Sequence, residues 1–274
     1  MAIYPSFAGA DVFDFGPSND TPSYQKFTID AYDDEVDYSA PARNYIGTAG
    51  DNTIRGTMRE DKIEGLGGDD SIKGRGGDDL IKGGTGDDTL KGNRGDDSIK
   101  GNSGDDRIRG GSGDDNVKGG SGDDNIKGNS GDDTLKGGSG DDKIKGGSGD
   151  DFIKGNRGED RLDGGSGDDR VRGGKGDDRI VVSAGEDSID GGSGDDTFVF
   201  KKNKIDGLDV IDMREGDLIE LKGWDIDETP DFGGSSPFIG SGMINFTVDG
   251  EDAALLLTDL TLEEVLDSVY GNFG

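Results

Sequence analysis

The stretch GGSGDDNIKGNSGDDTLKGGSGDDKIKGGSGDD occupies residues 119–151 and repeats one nine-residue phrase. From Gly47 to Val199 the chain divides into 17 such nonapeptides without a gap. Positions 1 and 4 are Gly in 16 copies each, position 6 is Asp in 16, and position 8 is Ile, Leu, Val or Phe in all 17. A flexible linker has no reason to keep an aliphatic residue at every ninth position. The pattern therefore predicts a repeat architecture.

The composition predicts a chain that needs a ligand to fold. Of the 274 residues 28% are hydrophobic and 54 are Gly, and the formal net charge is −31. Low apolar content with high net charge is typical of disorder, whereas the strict period indicates order. A polyanion of this kind should avoid nucleic acid and anionic membranes and should attract cations. The absence of Cys and His removes disulfides, thiolate sites and the commonest ligand of zinc, copper and nickel.

Neither a leader nor a membrane span is indicated. The first 20 residues have no basic region followed by an apolar one, as a Sec-type signal peptide requires. No apolar run approaches the roughly 18 residues that a membrane helix needs. We expect a protein without a membrane span, which would need another route if it is exported.

The spacing predicts a stacked coil. Positions 7 to 9 suit a very short strand with the position-8 side chain inward, and positions 1 to 6 suit a turn. Glycines at positions 1 and 4 are expected in left-handed conformations, as are the Gly and Asn common at position 2. Two repeats would close one coil, and coils about 4.8 Å apart would stack into two parallel sheets and a rod about 40 Å long.

The phrase G-G-x-G-D-D followed by x-aliphatic-x resembles the nonapeptide of the RTX (repeats-in-toxin) family, over 153 of the 274 residues. The resemblance implies an all-β fold: a parallel, calcium-loaded β-roll, which is a right-handed β-solenoid, of about 17 repeats. The repeats GTAGDNTIR (47–55), GTMREDKIE (56–64) and VSAGEDSID (182–190) depart from the pattern. We expect these three to bind metal weakly.

Hard oxygen donors without nitrogen or sulfur select calcium or magnesium, and calcium tolerates an irregular shell of 6–8 oxygens better than magnesium does. The resemblance implies that position-6 aspartates of two stacked turns share each Ca²⁺ and that turn carbonyls complete its shell. The candidate metal ligands are Asp61, Asp70, Asp79, Asp88, Asp97, Asp106, Asp115, Asp124, Asp133, Asp142, Asp151, Asp160, Asp169, Asp178, Asp187 and Asp196.

Nine turns on one edge and eight on the other allow at most about 15 sandwiched ions, whose charge would more than offset the net −13 of the roll.

Position 5 is Asp or Glu in all 17 copies, and we expect it to point outward into solvent. Position 9 is Lys or Arg in 12 copies. We expect these cations to pair with position-5 acids across the coil. The alternative is that the position-9 cations form a row, here called the basic rail, that binds an anionic polysaccharide or lipopolysaccharide.

The flanks are interpreted as caps. Residues 1–46, acidic and rich in aromatics, are expected to cover the first coil of the 47–199 roll. Residues 200–274 are expected to form a β-rich cap, with a hairpin turn at Asp249-Gly250 and a short helix in TLEEVLDSVYG (261–271). The resemblance implies an uncleaved type I secretion signal in the last 50 or so residues, and hence the type I secretion machinery as a partner.

The sequence disfavours an enzyme, because the common triads, zinc hydrolases and thiol nucleophiles need His or Cys. A carboxylate pair could serve a glycosidase, yet no region outside the repeats is large enough for a cleft. The favoured function is an extracellular calcium-binding protein with a structural or buffering role, folding after type I secretion. The alternative is a calcium-dependent surface adhesion or anionic-polysaccharide-binding module, which would use the basic rail or residues 225–250. An ice-binding rod is a third class, but no row of Thr-x-Thr is present.

Overall fold

A computed structural model describes residues 27–30, 43–201, 208–212, 217–222, 241–248 and 251–258. All regular secondary structure in these ranges is β-strand. Within them no helix is long and apolar enough to span a membrane. Most of the 1–46 segment and the helix expected at 261–271 lie outside the described residues.

The strands follow one another at intervals of about one repeat. The first twelve are β1 (Phe27–Asp30), β2 (Arg43–Ile46), β3 (Asn52–Arg55), β4 (Asp61–Gly67), β5 (Ser71–Lys73), β6 (Leu80–Thr85), β7 (Thr89–Arg94), β8 (Ser98–Ser103), β9 (Arg107–Ser112), β10 (Asn116–Ser121), β11 (Asn125–Ser130) and β12 (Thr134–Ser139). The others are β13 (Lys143–Ser148), β14 (Phe152–Arg157), β15 (Arg161–Ser166), β16 (Arg170–Lys175), β17 (Arg179–Val182), β18 (Ser188–Ser193), β19 (Thr197–Lys201), β20 (Leu208–Asp212), β21 (Leu218–Lys222), β22 (Ser241–Val248) and β23 (Glu251–Thr258).

Alternate strands build two parallel sheets. The odd-numbered strands from β1 to β21 form one sheet of 11 strands. The 11 even-numbered strands and β23 form a second sheet of 12, which ends in the order β20, β23, β22. Each repeat strand pairs with the strand two repeats away, so that Val117 lies opposite both Ile99 and Leu135. Two repeats thus make one coil, which confirms the parallel β-roll.

The core is a single file of aliphatic side chains between the sheets. Every position-8 residue from Ile54 to Phe198 is at most 2% exposed. Side chains alternate across a strand, so positions 7 and 9 lie on the outer faces. Through most of the roll the core therefore holds one apolar side chain per repeat, and at the C-terminal end Val182 and Phe200 are buried in it as well.

The strands are longer than expected. A typical one, β12, has six residues and runs from position 7 to position 3 of the next repeat. Pairing continues past position 1 because positions 2 and 3 also lie opposite their counterparts, as Gly138 lies opposite Gly120. The turn is therefore reduced to positions 4 to 6, half of the length that the spacing suggested.

The left-handed positions are 2 and 4, so the expectation for position 1 was wrong. Asn129 at position 2 has φ 94° and Gly131 at position 4 has φ 122°. Position-1 glycines such as Gly128 do not have a φ in the left-handed region. Position 1 needs glycine for a different reason, which lies in the neighbouring carboxylate.

The central position-9 cations do not pair with position-5 acids, contrary to expectation. Position 9 lies in the middle of a strand on the outer face, whereas position 5 lies in the turn at the edge, so the two side chains project from different surfaces. Within the described residues no carboxylate lies within 4.0 Å of the Nζ atoms of Lys100, Lys118 or Lys136. These three residues stand opposite one another in adjacent strands.

The sheets extend past the 17 repeats at both ends. At the N-terminal end β1 pairs with β3 and β2 pairs with β4. At the other end β20 and β21 continue the two sheets in parallel, with Ile211 opposite Ile189. The runs on either side of Asp249-Gly250 pair antiparallel as β22 and β23, which confirms the hairpin, although the turn residues lie outside the description.

Truncating one core side chain should lower stability strongly, because the file has no second layer to relax into. We expect Ile126→Ala to reduce the free energy of unfolding of the calcium-loaded roll by about 2–5 kcal/mol. Lys127→Ala, on the outer face of the same strand, should change it by less than about 0.5 kcal/mol. Chemical denaturation of both variants in saturating calcium checks this, and equal losses would contradict the single-file core.

Candidate metal sites along the turns

The position-6 aspartates form a hydrogen-bonded column along each edge of the roll. Asp124 is representative: its Oδ1 accepts the backbone N–H of Asp106 at 2.9 Å, and its own N–H donates to Asp142 Oδ1 at 2.9 Å. Within the repeats the donor and acceptor lie 18 residues apart, in adjacent coils. From Asp70 onward, one carboxylate oxygen of each position-6 aspartate is thus held by the preceding coil.

At thirteen of these carboxylates, from Asp70 to Asp178, the other oxygen, Oδ2, is buried and receives no hydrogen bond. A buried acceptor without a partner is costly, and more so when it is charged. This state recurs at Asp70, Asp79, Asp88, Asp97, Asp106, Asp115, Asp124, Asp133, Asp142, Asp151, Asp160, Asp169 and Asp178, all at most 2% exposed. The two edges therefore carry two files of buried, unsatisfied carboxylate oxygens.

The position-1 glycine makes room for this oxygen. A Cβ on Gly128 would overlap Asp133 Oδ2 and would lie 2.9 Å from Gly146 O, the carbonyl of the equivalent glycine in the next coil. A carboxylate oxygen and a backbone carbonyl thus face the same space above a bare Cα. At Gly119 and Gly155 a Cβ would likewise lie close to a position-6 Oδ2 and to the position-1 carbonyl of the next coil.

Burial raises the pKa of these carboxyls. The pKa rises to about 6 at Asp106, about 7 at Asp124 and about 8 at Asp142. Desolvation is the largest cause, and carboxylates of neighbouring turns raise the pKa further, whereas the backbone N–H bond to Oδ1 lowers it. A metal-free column at neutral pH thus has to bury charge or bind protons.

Position 5 has a structural role that the sequence did not indicate. Its side chains are exposed, as expected. However, Asp123 Oδ1 accepts the backbone N–H of Asp141 at 2.8 Å, and Asp105 Oδ1 accepts that of Asp123 at 2.8 Å. This exposed ladder accepts from the following coil, whereas the buried one accepts from the preceding coil. Each turn is therefore hydrogen-bonded to both of its neighbours.

The residues present fit a hard divalent cation. The orphaned Oδ2 atoms and the position-1 carbonyls beside them are oxygen donors, which suit Ca²⁺. No three acidic side chains converge at one point among the described residues, so backbone carbonyls have to supply much of any shell. The cation would provide the positive charge that the buried oxygens lack.

The repeats that depart from the common sequence also differ in the hydrogen bonds of their position-6 aspartates. All 16 sequence-predicted ligands are buried, eight along each edge. At Asp61, however, Oδ2 accepts the N–H and the hydroxyl of Thr57 at 2.6 and 3.0 Å. In the 182–190 repeat, Asp187 Oδ2 accepts the Ser183 N–H at 3.4 Å. Their weak metal binding stays a prediction.

One member of the column was missed. Asp217 is 5% exposed, and its Oδ1 accepts the N–H of Asp196 at 2.9 Å, as in the repeats. The Leu218 N–H donates to the Asp196 carbonyl at 2.7 Å. The segment GDLIE at 216–220 keeps the G-D-x-aliphatic-x order, but its spacing from Asp196 is 21 residues instead of 18. That shift hid it from a strict nine-residue count.

Comparison with known proteins identifies the repeats. The family model of the RTX calcium-binding nonapeptide repeat matches overlapping segments that together cover residues 46–200. The chain therefore belongs to this family, and membership implies that it binds Ca²⁺. A search of curated proteins finds no match.

Among solved structures, the chain is similar to the extracellular lipase LipA from Serratia marcescens, with 15% sequence identity and a TM-score of 0.25. The alignment covers 80% of this chain and 39% of the lipase. The chain thus spans well under half of the length of that protein.

The raised pKa values predict how pH affects the calcium-free chain. The carboxyls titrate near 3.9 when unfolded and at about 6 to 8 in the metal-free roll. Protons therefore stabilise the metal-free roll fully below pH ~4, and that stability is lost as the pH rises through about 6 to 8. Circular dichroism of calcium-stripped protein should therefore show more β-structure at pH 5 than at pH 8. More β-structure at pH 8 would contradict stabilisation of the metal-free roll by protons.

Filling the space above a position-1 glycine should disturb the column. We expect Gly128→Ala to destabilise the calcium-loaded roll by about 1–3 kcal/mol, because the methyl overlaps Asp133 Oδ2 and forces it to move. Ser130→Ala, at the exposed position 3 of the same repeat, is the control. Thermal unfolding in saturating calcium measures both, and an unaffected Gly128→Ala would show that the oxygen is not confined there.

Proposed function

We propose that this chain is an exported protein whose repeats fold into the roll when they bind several Ca²⁺ ions, and that its role is structural or calcium-buffering. The observation that carries the proposal is the file of buried Oδ2 atoms without hydrogen-bond donors, at Asp70 through Asp178. A fold that places the same unsatisfied charge in turn after turn, from Asp70 to Asp178, needs a cation beside each of these turns.

Calcium binding and folding are coupled in this proposal. The Oδ2 of one turn and the position-1 carbonyl of the next coil come together only when the coils stack, as Asp133 and Gly146 do. The unfolded chain has no such pair, so the free energy of binding is also free energy of folding. Without calcium, the net charge of −31 favours an expanded chain.

This coupling suits export. In the calcium-poor cytosol the chain would stay expanded and could pass a channel for unfolded chains. Outside, millimolar calcium is enough even for weak extracellular sites, and folding there would prevent return. We assign the role of type I secretion signal to the C-terminal end of the chain, and we propose no catalytic role.

Export should depend on the C-terminal segment and not on the number of coils. In cells carrying a type I exporter, we expect the full chain in the medium and a chain lacking residues 225–274 in the cytosol. Deleting residues 119–136, which form two whole repeats and thus one coil, preserves the register and should leave export intact. Equal export of all three, or retention of all three, would overturn the secretion proposal.

A second candidate function is binding of an anionic polysaccharide. The cations Lys100, Lys118 and Lys136 stand in register on one face, and no carboxylate pairs with them within the described residues. Position-9 acids lie only towards the ends of the same file, where Glu64 pairs with Lys82 at 2.9 Å and Asp190 with Arg172 at 3.8 Å. This leaves a regular row of unpaired positive charge that matches a linear polyanion.

The row can be tested separately from calcium binding. With calcium-loaded protein and polygalacturonate as the probe, we expect a triple variant with Lys100→Gln, Lys118→Gln and Lys136→Gln to bind about tenfold more weakly. The control carries Arg94→Gln, Arg157→Gln and Lys175→Gln, which remove the same charge at position 3. Equal weakening by both sets would mean that net charge alone attracts the polymer.

A further inference from the structure

The first turn on each edge differs in backbone conformation from the turns that follow. From Leu66 onward position 2 has a positive φ in every repeat except at Ser183, and position 4 has one in every repeat from Gly68 onward. The two first repeats have Thr48 and Thr57 at position 2, and neither residue has a positive φ. Gly50 and Arg59 at position 4 do not have one either.

On the second edge, the threonine satisfies the Oδ2 of the carboxylate, the oxygen that faces the next coil, whereas Asp61 Oδ1 is buried and receives no hydrogen bond. The backbone N–H of Thr57 donates to Asp61 Oδ2 at 2.6 Å, and its hydroxyl lies 3.0 Å from the same oxygen. In the turns above, from Asp79 to Asp169, this oxygen is the orphaned one. Thr57 itself is 5% exposed, so these hydrogen bonds are shielded from water.

On the first edge, the carboxylate is replaced altogether. Asn52 stands where the other 16 repeats have Asp. Its Oδ1 accepts the Thr48 N–H at 2.6 Å, and its Nδ2 donates to Thr48 Oγ1 at 2.9 Å and to Gly50 O at 2.7 Å. The amide is neutral and donates to a carbonyl of its own turn, so this position lacks the carboxylate charge that would attract a cation in the later turns.

Both first turns nevertheless join the buried ladder. The Asn52 N–H donates to Asp70 Oδ1 at 2.7 Å, and the Asp61 N–H donates to Asp79 Oδ1 at 2.8 Å. We propose that Thr48 with Asn52, and Thr57 with Asp61, close the first turn of each edge without calcium. They form a metal-independent end on which the calcium-binding coils stack. This rests on the proposed function, because it presupposes calcium in the later turns.

Two consequences follow for calcium binding. Each edge loses its first sandwiched site, which lowers the ceiling from about 15 ions to about 13. The N-terminal coil also presents ordered N–H donors to Asp70 and Asp79 before any ion binds there. The first calcium-binding coil therefore adds to a preformed edge.

Counting ions in matched variants tests the inference. Native mass spectrometry of the full chain in saturating calcium should give the same number of ions for wild type and Asp61→Asn. Asp133→Asn, the same change at position 6 in the middle of the same edge, should lose one or two. A double variant with Thr48→Gly and Asn52→Asp, which restores the common phrase, should gain one. Asn116→Asp, which adds the same charge on an exposed outer face, should gain none.

The outcomes separate this inference from the proposed function. If Asp61→Asn loses as many ions as Asp133→Asn, or if the double variant gains none, the first turns are not closed in the way described and calcium-driven folding still stands. Unchanged counts for Asp61→Asn together with a gain in the double variant support the inference on both edges. Protein that binds no calcium in any variant would overturn both proposals.

Discussion

A carboxylate oxygen that is removed from water needs a donor or a cation, and this constraint recurs in every coil of the roll. The position-6 aspartate turns inward because its Oδ1 accepts a backbone N–H from the adjacent coil, as Asp124 does from Asp106. The same inward turn buries Oδ2, which receives no hydrogen bond. Protons can neutralise it, at the raised pKa values, but at neutral pH a divalent cation is the more effective partner.

The glycines and the apolar residues of the repeat serve that arrangement. Position 1 has to be glycine because Oδ2 occupies the space where a Cβ would be, as at Gly128. Positions 2 and 4 take left-handed conformations that turn the chain between sheets, as at Asn129 and Gly131. Position 8 supplies one buried side chain per repeat. The burial of one apolar side chain per repeat cannot offset the conformational entropy that nine residues lose on folding. Metal binding by the column of aspartates therefore has to contribute to stability.

The repeat architecture and the candidate ligands could be predicted because both follow from the period. An aliphatic residue every nine positions fixes the single-file core, and the Asp at position 6 has a constant place relative to it. The role of position 1 could not be predicted, since a glycine required for space looks the same in sequence as one required for φ. Strand length was underestimated for a related reason: glycine-rich positions 1 to 3 look like a turn, although positions 2 and 3 keep their pairing to the next coil.

Where the period is broken, the sequence was less informative. Asp217 continues a column after three extra residues, and the closed turns of Thr48 and Thr57 depend on side-chain hydrogen bonds that a motif does not encode. The outward direction of the position-5 carboxylates was predicted, but the hydrogen-bonded ladder that they form with the following coils was not. A solvent-exposed acid that accepts a backbone N–H looks the same in sequence as one that is only solvated.

We expect the buried Oδ2 columns to need calcium if the roll is to be stable at neutral pH. A titration of calcium-stripped protein with Ca²⁺ at pH 7.5, followed by far-UV circular dichroism and with Mg²⁺ as the matched control, tests it most directly. We predict a cooperative change from coil to β-structure with calcium and little change with magnesium at the same concentrations. A spectrum that is already β-rich before any ion is added, or one that calcium leaves unchanged, would contradict it.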